Sequence, residues 1–378
     1  MTQSNWRTHI RKYFFSFTTL VVISFMLYSH HGNLGKGGTV HPAQVYFKNE
    51  NAIKPYINRP SVNDTPTNEQ PDNQHVIIFT LRRSGSTFTS EIFNQNDDYM
   101  YFFEPLRSYE IMKMKTDPSV RAIPRYQVVP WSYSKQLLSA LYRCDFTELP
   151  NWTRLRDLCF HIGTDPIRSM ASYCRSKKNN NLAAMCRKHK GIAIKTIRVS
   201  DIQNLYDLVT DPKLNFKVIH LVRDPRGIMN SRYKTLKKVG EVRAERLYST
   251  TNGNSGPEPM RANEVSEICT HMERNLKYWL DTPEWLAGRY KLVRYEDLAG
   301  NPLSVTRDLY NFIQTPLPHS VTQWIDRNTK HTTGKGKVTT RNSNITAYQW
   351  QTELDRSVID DVQHRCKKLL DMLGYELV

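Results

Sequence analysis

The chain has no C-x-x-C pair, no lysine where a Walker loop would place one, and no internal repeat. Each absence excludes something. The six cysteines (Cys144, Cys159, Cys174, Cys186, Cys269 and Cys366) lack the close spacing of a zinc site, so no metal is expected. Their even number suits up to three disulfides of open connectivity, with buried free thiols of a cytosolic enzyme as the rival reading. Acidic residues are the minority charge: 36 Asp and Glu stand against 53 Lys and Arg, a formal net charge of +17. Such a balance points to a polyanionic partner, and charge alone leaves nucleic acid, acidic lipid and acidic glycans open.

Charge is also missing locally. Tyr13 to Tyr28 carries none, follows Arg7, Arg11 and Lys12, and is not succeeded by another charge until Lys36. This pattern predicts a signal anchor: a cytoplasmic tail over 1–12, a span over 13–28 and a luminal remainder, as in a single-pass type II protein. Sixteen residues fall slightly short of the usual span of about 17–25, but early secretory membranes are thinner. A cleaved signal peptide is the rival, though no clean small-x-small site follows. Residues 29–74 hold few large apolar groups and include Pro42, Pro55, Pro60, Pro66 and Pro71, which reads as an extended stem. Three sequons, at Asn63, Asn151 and Asn344, agree with a luminal location. A luminal chain argues against nucleic acid as the partner.

From His75 to Val378 apolar, β-branched runs alternate with helical patterns. The runs are HVIIFT (75–80), YMYFF (99–103), GIAIKTI (191–197), NFKVIHLV (215–222) and YKLVRYE (290–296). They predict an α/β fold, a parallel sheet with helices on both faces. Helices are expected after Ser86, after Asp201, after Pro225, around Glu264–Leu280, after Pro302 and from Leu354 to Met372. Residues 233–262 read as an irregular basic insertion, a candidate lid or acceptor-binding segment.

Two strand ends carry phosphate-binding chemistry, and ligands of open α/β sheets sit at such ends. After HVIIFT come Leu81, Arg82, Arg83, Ser84, Gly85, Ser86, Thr87 and Phe88. A small hydroxyl-and-glycine turn entering a helix cradles an anion with backbone amides. Arg83 supplies the charge that a Walker lysine would give, with Arg82 in support; a plain helix cap is the bland alternative. After NFKVIHLV come Arg223, Asp224, Pro225, Arg226, Gly227, Ile228, Met229, Asn230, Ser231 and Arg232. Pro225 suits a first helical turn, so Arg223 and Ser231 can converge on one phosphate; a surface Arg–Asp pair is the bland alternative. One 5′-phosphate site and one separate phosphate site describe a nucleotide bisphosphate.

These two segments resemble the R-S-G-S-[ST]-F and L-V-R-D-P-R-[AG]-x-x-x-S-R motifs of the Golgi carbohydrate 6-O-sulfotransferases. The likeness continues through "FNQNDDYMYFFEPL", "KTIRVSDIQNLYDLVTDPKLNFKVI", "RYKLVRYEDLAGNPL" and "CKKLLDMLGYELV", covering 75–378, and looks nearest to the keratan and chondroitin branch. It implies a P-loop-like sulfotransferase domain in the Golgi lumen and 3′-phosphoadenosine 5′-phosphosulfate as the donor. By the same resemblance Arg83 to Phe88 bind the 5′-phosphosulfate, Arg223 to Ser231 bind the 3′-phosphate, and the acceptor is a glycan hydroxyl. Arg82 stands where relatives often carry an uncharged residue.

Sulfuryl transfer needs a base and a charge on the leaving group. Glu104, ending the YMYFF run, is the expected base, its pKa raised by desolvation; a structural acid pairing an arginine is the alternative. Arg83 is the expected leaving-group cation. His75 opens its strand and His220 lies inside one, so neither should reach the donor. Two rivals remain: a P-loop nucleotide kinase, disfavoured by the missing lysine, and a membrane-tethered, non-catalytic binder of acidic glycans.

Overall fold

The computed structural model describes residues 74–117, 119–120, 124–151, 153, 155–160, 167–176, 181–248, 263–329 and 342–378. The expected tail and anchor, the expected stem up to residue 73, the sequon at Asn63 and residues 249–262 of the expected insertion lie outside these. Among the described residues no helix is long and apolar enough to cross a membrane.

Five strands form one parallel sheet: β1 (Gln74–Thr80), β2 (Tyr99–Phe103), β3 (Gly191–Thr196), β4 (Asn215–Val222) and β5 (Tyr290–Arg294), in the order β2-β3-β1-β4-β5. Every expected strand is present. β1, β2 and β3 are buried along their whole length, which is why they read as continuous apolar runs rather than alternating ones. Helices cover the sheet, among them α1 (Ser86–Asn94), α2 (Arg107–Thr116), α3 (Pro225–Tyr248), α4 (Glu264–Leu280), α5 (Tyr295–Gly300) and α6 (Ser343–Tyr348).

The order makes β1 the switch point of the sheet, since the chain leaves it toward β2 and β3 on one side and β4 and β5 on the other. Thr80 pairs in register with Leu221, and the Thr80 hydroxyl donates to the Leu221 carbonyl at 2.8 Å. The two phosphate-type segments therefore leave neighbouring strands at one height. On the other side Phe103 pairs with Lys195, so the ends of β2 and β3 open onto the same edge.

Three expectations need correction. Residues 233–248 are not irregular, because α3 continues unbroken to Tyr248. The helix expected over Leu354–Met372 is two, Arg356–Arg365 and Lys367–Leu373, divided at Cys366. β5 stops at Arg294, and Tyr295 and Glu296 open α5 instead. The cysteines pair as Cys144–Cys186, Cys159–Cys174 and Cys269–Cys366. The last joins α4 to the break between the final two helices.

Candidate active site at the sheet edge

Arg83 and Gly85 both adopt left-handed backbone, φ 76° and 84°. Arginine is costly there, about 1–3 kcal/mol, and glycine is not. The double reversal turns the chain from β1 into α1, whose first residue is Ser86. Gly85 has a second reason to be glycine: a Cβ would lie 2.0 Å from Cδ2 of the Tyr295 ring. Ser84 and Ser86 are buried, whereas Arg83, Gly85 and Thr87 are partly exposed at the edge. Phe88 points away and packs on Trp324, centroids 5.5 Å apart.

Arg223, at the end of β4, is buried and fastened from several sides. Nη1 donates to the Arg83 carbonyl at 3.0 Å and Nη2 to the Thr346 carbonyl of α6 at 3.2 Å. Its guanidinium lies 4.6 Å from the centroid of Tyr295. Gly227 leaves room for it, since a Cβ there would be 2.9 Å from Arg223 Nε. Tyr295 thus supports both segments, touching the glycine of one and the arginine of the other. The segments also meet directly: Arg83 Nε donates to Ser231 Oγ at 2.8 Å.

The rest of the second segment faces elsewhere. The Asp224 carboxylate pairs with Arg226 (Nη2 at 2.8 Å), whose Nη1 donates to Gln363 Oε1 and the Glu376 carbonyl. The Arg226 guanidinium also stacks on Trp350. Ile228 and Met229 are core residues among Val265, Ile268 and Leu369, and Asn230 donates to Glu353 at 2.8 Å. These side chains brace the turn, and within the segment Arg223 and Ser231 are the side chains that meet Arg83. Arg82 borders a further pair, Arg232 with Glu264, and Arg232 Nη2 donates to the Arg82 carbonyl at 3.4 Å.

Glu104 follows β2 in left-handed backbone, φ 49°, and is 9% exposed. Its carboxylate is ion-paired with Lys195 from the end of β3 and with Arg198 just beyond it. Arg198 Nε also donates to Glu110 Oε2 of α2 at 2.6 Å. Burial pushes Glu104 up, but Lys195 and Arg198 together outweigh it and pull its pKa down to about 2. The expected upward shift is therefore corrected: desolvation is present, and two adjacent cations reverse it. Lys195 shares the Glu104 carboxylate with Arg198; burial lowers the Lys195 pKa despite Glu104, with Arg198 and Arg83 adding to the effect.

The histidines lie where expected. His75 is the second residue of β1 and accepts from the Ile192 amide at 3.2 Å, and His220, inside β4, meets the Tyr290 hydroxyl at 2.8 Å. Burial lowers their pKa values to about 4 and about 3, so both are neutral at physiological pH. Lys195, Arg198, Tyr295 and Glu296 are residues to which no role was assigned from the sequence. A cation inside an otherwise apolar strand, as in GIAIKTI, is the one signal that marks Lys195. Among the described residues no three His, Cys, Asp or Glu side chains group closely enough to hold a metal ion.

Residues 73–374 match the family model described as a sulfotransferase domain. Carbohydrate sulfotransferase 1 of Homo sapiens is 34% identical over 331 residues, covering 80% of this chain and 79% of that protein. Carbohydrate sulfotransferase 2 of Homo sapiens is 30% identical over 356 residues, 81% of this chain and 66% of that protein. Among solved structures, a sulfotransferase domain from the curacin biosynthetic pathway aligns over 82% of this chain and all of its own, at 16% identity and a TM-score of 0.44.

Proposed function

The chain belongs to the carbohydrate sulfotransferase family, enzymes acting on carbohydrates, and we propose that it sulfates the 6-hydroxyl of galactose or an N-acetylhexosamine in a keratan- or chondroitin-type glycan. The donor is 3′-phosphoadenosine 5′-phosphosulfate. One observation carries the donor site: the Arg83–Ser231 contact at 2.8 Å, which joins the two anion-binding segments across neighbouring strands. A ligand spanning that junction meets the helix-start amides of α1 at one end and Arg223 and Ser231 at the other. Arg223 donates two of its five N–H groups to carbonyls, which leaves hydrogens on both Nη atoms for a phosphate.

Transfer is a displacement at sulfur. A lone pair of the sugar hydroxyl forms the new O–S bond while the bond from sulfur to the bridging phosphate oxygen breaks. The electron pair stays on that oxygen, and adenosine 3′,5′-bisphosphate leaves. Arg83 and the amides of Gly85 to Thr87 neutralise the developing charge without metal. Glu104 is the proposed proton acceptor. With its pKa at about 2 it is ionised at physiological pH but weakly basic, so it takes the proton late, once the O–S bond has made the hydroxyl acidic.

The reading extends to location: anchor at 13–28, stem at 29–74, and a catalytic domain in the Golgi lumen from residue 75. Three disulfides suit an oxidising compartment, and the sequon residues Asn151 and Asn344 are exposed. A thermal-shift experiment tests the donor site. Adenosine 3′,5′-bisphosphate should raise the melting temperature far more than ATP with magnesium. No stabilisation by the bisphosphate would favour a non-catalytic glycan binder instead.

A further inference from the structure

Arg223 sits in a tight strand-to-helix turn whose neighbours are satisfied by groups far away in the chain. The Asp224 amide donates to Glu296 Oε1 at 3.1 Å. The other oxygen of Glu296 accepts from the Tyr375 hydroxyl at 2.6 Å. Tyr375 is buried, and its ring carries the Arg294 guanidinium 4.3 Å from its centroid. On the far side of the turn, Arg226 pairs with Asp224 and donates to the Glu376 carbonyl at 2.8 Å and to Gln363 Oε1 at 2.9 Å. Gln363 in turn brackets Val378, accepting from its amide at 2.8 Å and donating to its carbonyl at 3.1 Å. Gly374, with φ 65°, ends the preceding helix and sends the chain back toward the turn.

Asp224, Arg226 and Glu296 are each no more than 3% exposed, so none reaches a ligand at the sheet edge. Their contacts flank Arg223 on the chain: Asp224 is its neighbour, and Arg226 lies in the first turn of the helix that carries Ser231. A buried amide or carboxylate left without its partner costs about 1–3 kcal/mol, so the turn has one favoured seating, and the Tyr375–Val378 segment fixes it from both sides.

We propose that the Tyr375–Val378 segment, acting through Glu296 and Gln363, positions Arg223 for the donor's 3′-phosphate, so that donor affinity depends on residues that never touch the donor. The proposal rests on the reading of Arg223 and Ser231 as the 3′-phosphate site. Tyr375, Glu296 and Gln363 are positioning residues: losing one loosens recognition of the 3′-phosphate and leaves the sulfuryl-transfer end of the site intact. A merely structural role would instead lower stability while the folded fraction bound normally.

Calorimetric titration of Tyr375→Phe and Gln363→Leu with adenosine 3′,5′-bisphosphate and with adenosine 5′-monophosphate separates the two roles. Tyr375→Phe deletes one hydroxyl and keeps the ring against Arg294; Gln363→Leu works from the other side of the turn, so either variant suffices if the other fails to fold. The bisphosphate Kd and the donor KM should rise about five- to tenfold, the loss of roughly one hydrogen bond. The monophosphate Kd and kcat at saturating donor should stay within about twofold, since neither involves the 3′-phosphate. A bisphosphate Kd within about twofold of wild type in the folded variants, alongside a large loss in Arg223→Ala, would overturn the positioning role alone. Undiminished bisphosphate affinity in Arg223→Ala would overturn the 3′-phosphate site and the proposal with it.

Discussion

Glu104→Gln separates what Glu104 does for folding from what it does for chemistry. The side chain keeps its volume and loses its charge, leaving Lys195 buried without its carboxylate and Arg198 with Glu110 alone. In the folded protein burial opposes ionisation, the two cations overcome it, and the pKa falls from 4.5 to about 2. A shift of that size is worth about 3 kcal/mol at neutral pH, matching the roughly 3–5 kcal/mol lost when one partner of a buried pair is removed. The folded pKa lies below the unfolded one, so this stability is full above about pH 4.5 and is lost as pH falls toward about 2. Wild type should therefore destabilise across that window more steeply than Glu104→Gln. At pH 7 the variant should melt about 6–12 °C lower. If Glu104 also accepts the hydroxyl proton, kcat should drop by about 10²–10⁴, with bisphosphate Kd nearly unchanged. Melting, Kd and kcat are measured on one purified preparation. A folded, donor-binding variant with kcat within about threefold of wild type would remove Glu104 from the proton step. An unchanged melting temperature would refute the ion-pair account.

Arg223→Ala and Ser231→Ala should each raise donor KM, Arg223 by the larger amount, since a charge-assisted contact is worth about 1.5–3 kcal/mol; steady-state kinetics with varied donor checks this. Gly85→Ala should abolish bisphosphate binding by titration, because its methyl would meet the Tyr295 ring at 2.0 Å on a backbone of φ 84°. Glycans on Asn151 or Asn344 should resist endoglycosidase in intact vesicles and become sensitive once the vesicles are opened; cleavage in intact vesicles would contradict a luminal domain.

The inner strands were legible because burial on both faces writes itself as near-continuous apolar runs, and all five strands were located to within one or two residues. The two strand-to-helix turns were legible because Gly85 and Pro225 mark them. The charge state of Glu104 was not. Its position at a strand end predicted desolvation correctly, but the partners that dominate, Lys195 and Arg198, lie more than ninety residues away in sequence and arrive only through β2–β3 pairing. The partners of Arg226 were hidden for a related reason, since Trp350 and the Glu376 carbonyl lie more than a hundred residues further along the chain. The 233–248 stretch read as irregular because its apolar residues do not form a clear stripe, although helix α3 runs through it.

Transfer of a sulfuryl group to a sugar 6-hydroxyl is tested directly by incubating radiolabelled donor with desulfated keratan, chondroitin and N-acetylglucosamine-terminated glycans. Disaccharide analysis of the product should place the label at the 6-position of galactose or an N-acetylhexosamine, and Arg83→Ala should abolish it. Label at another position would contradict the regiochemistry. No label on any acceptor, from protein that binds the bisphosphate, would contradict the activity itself.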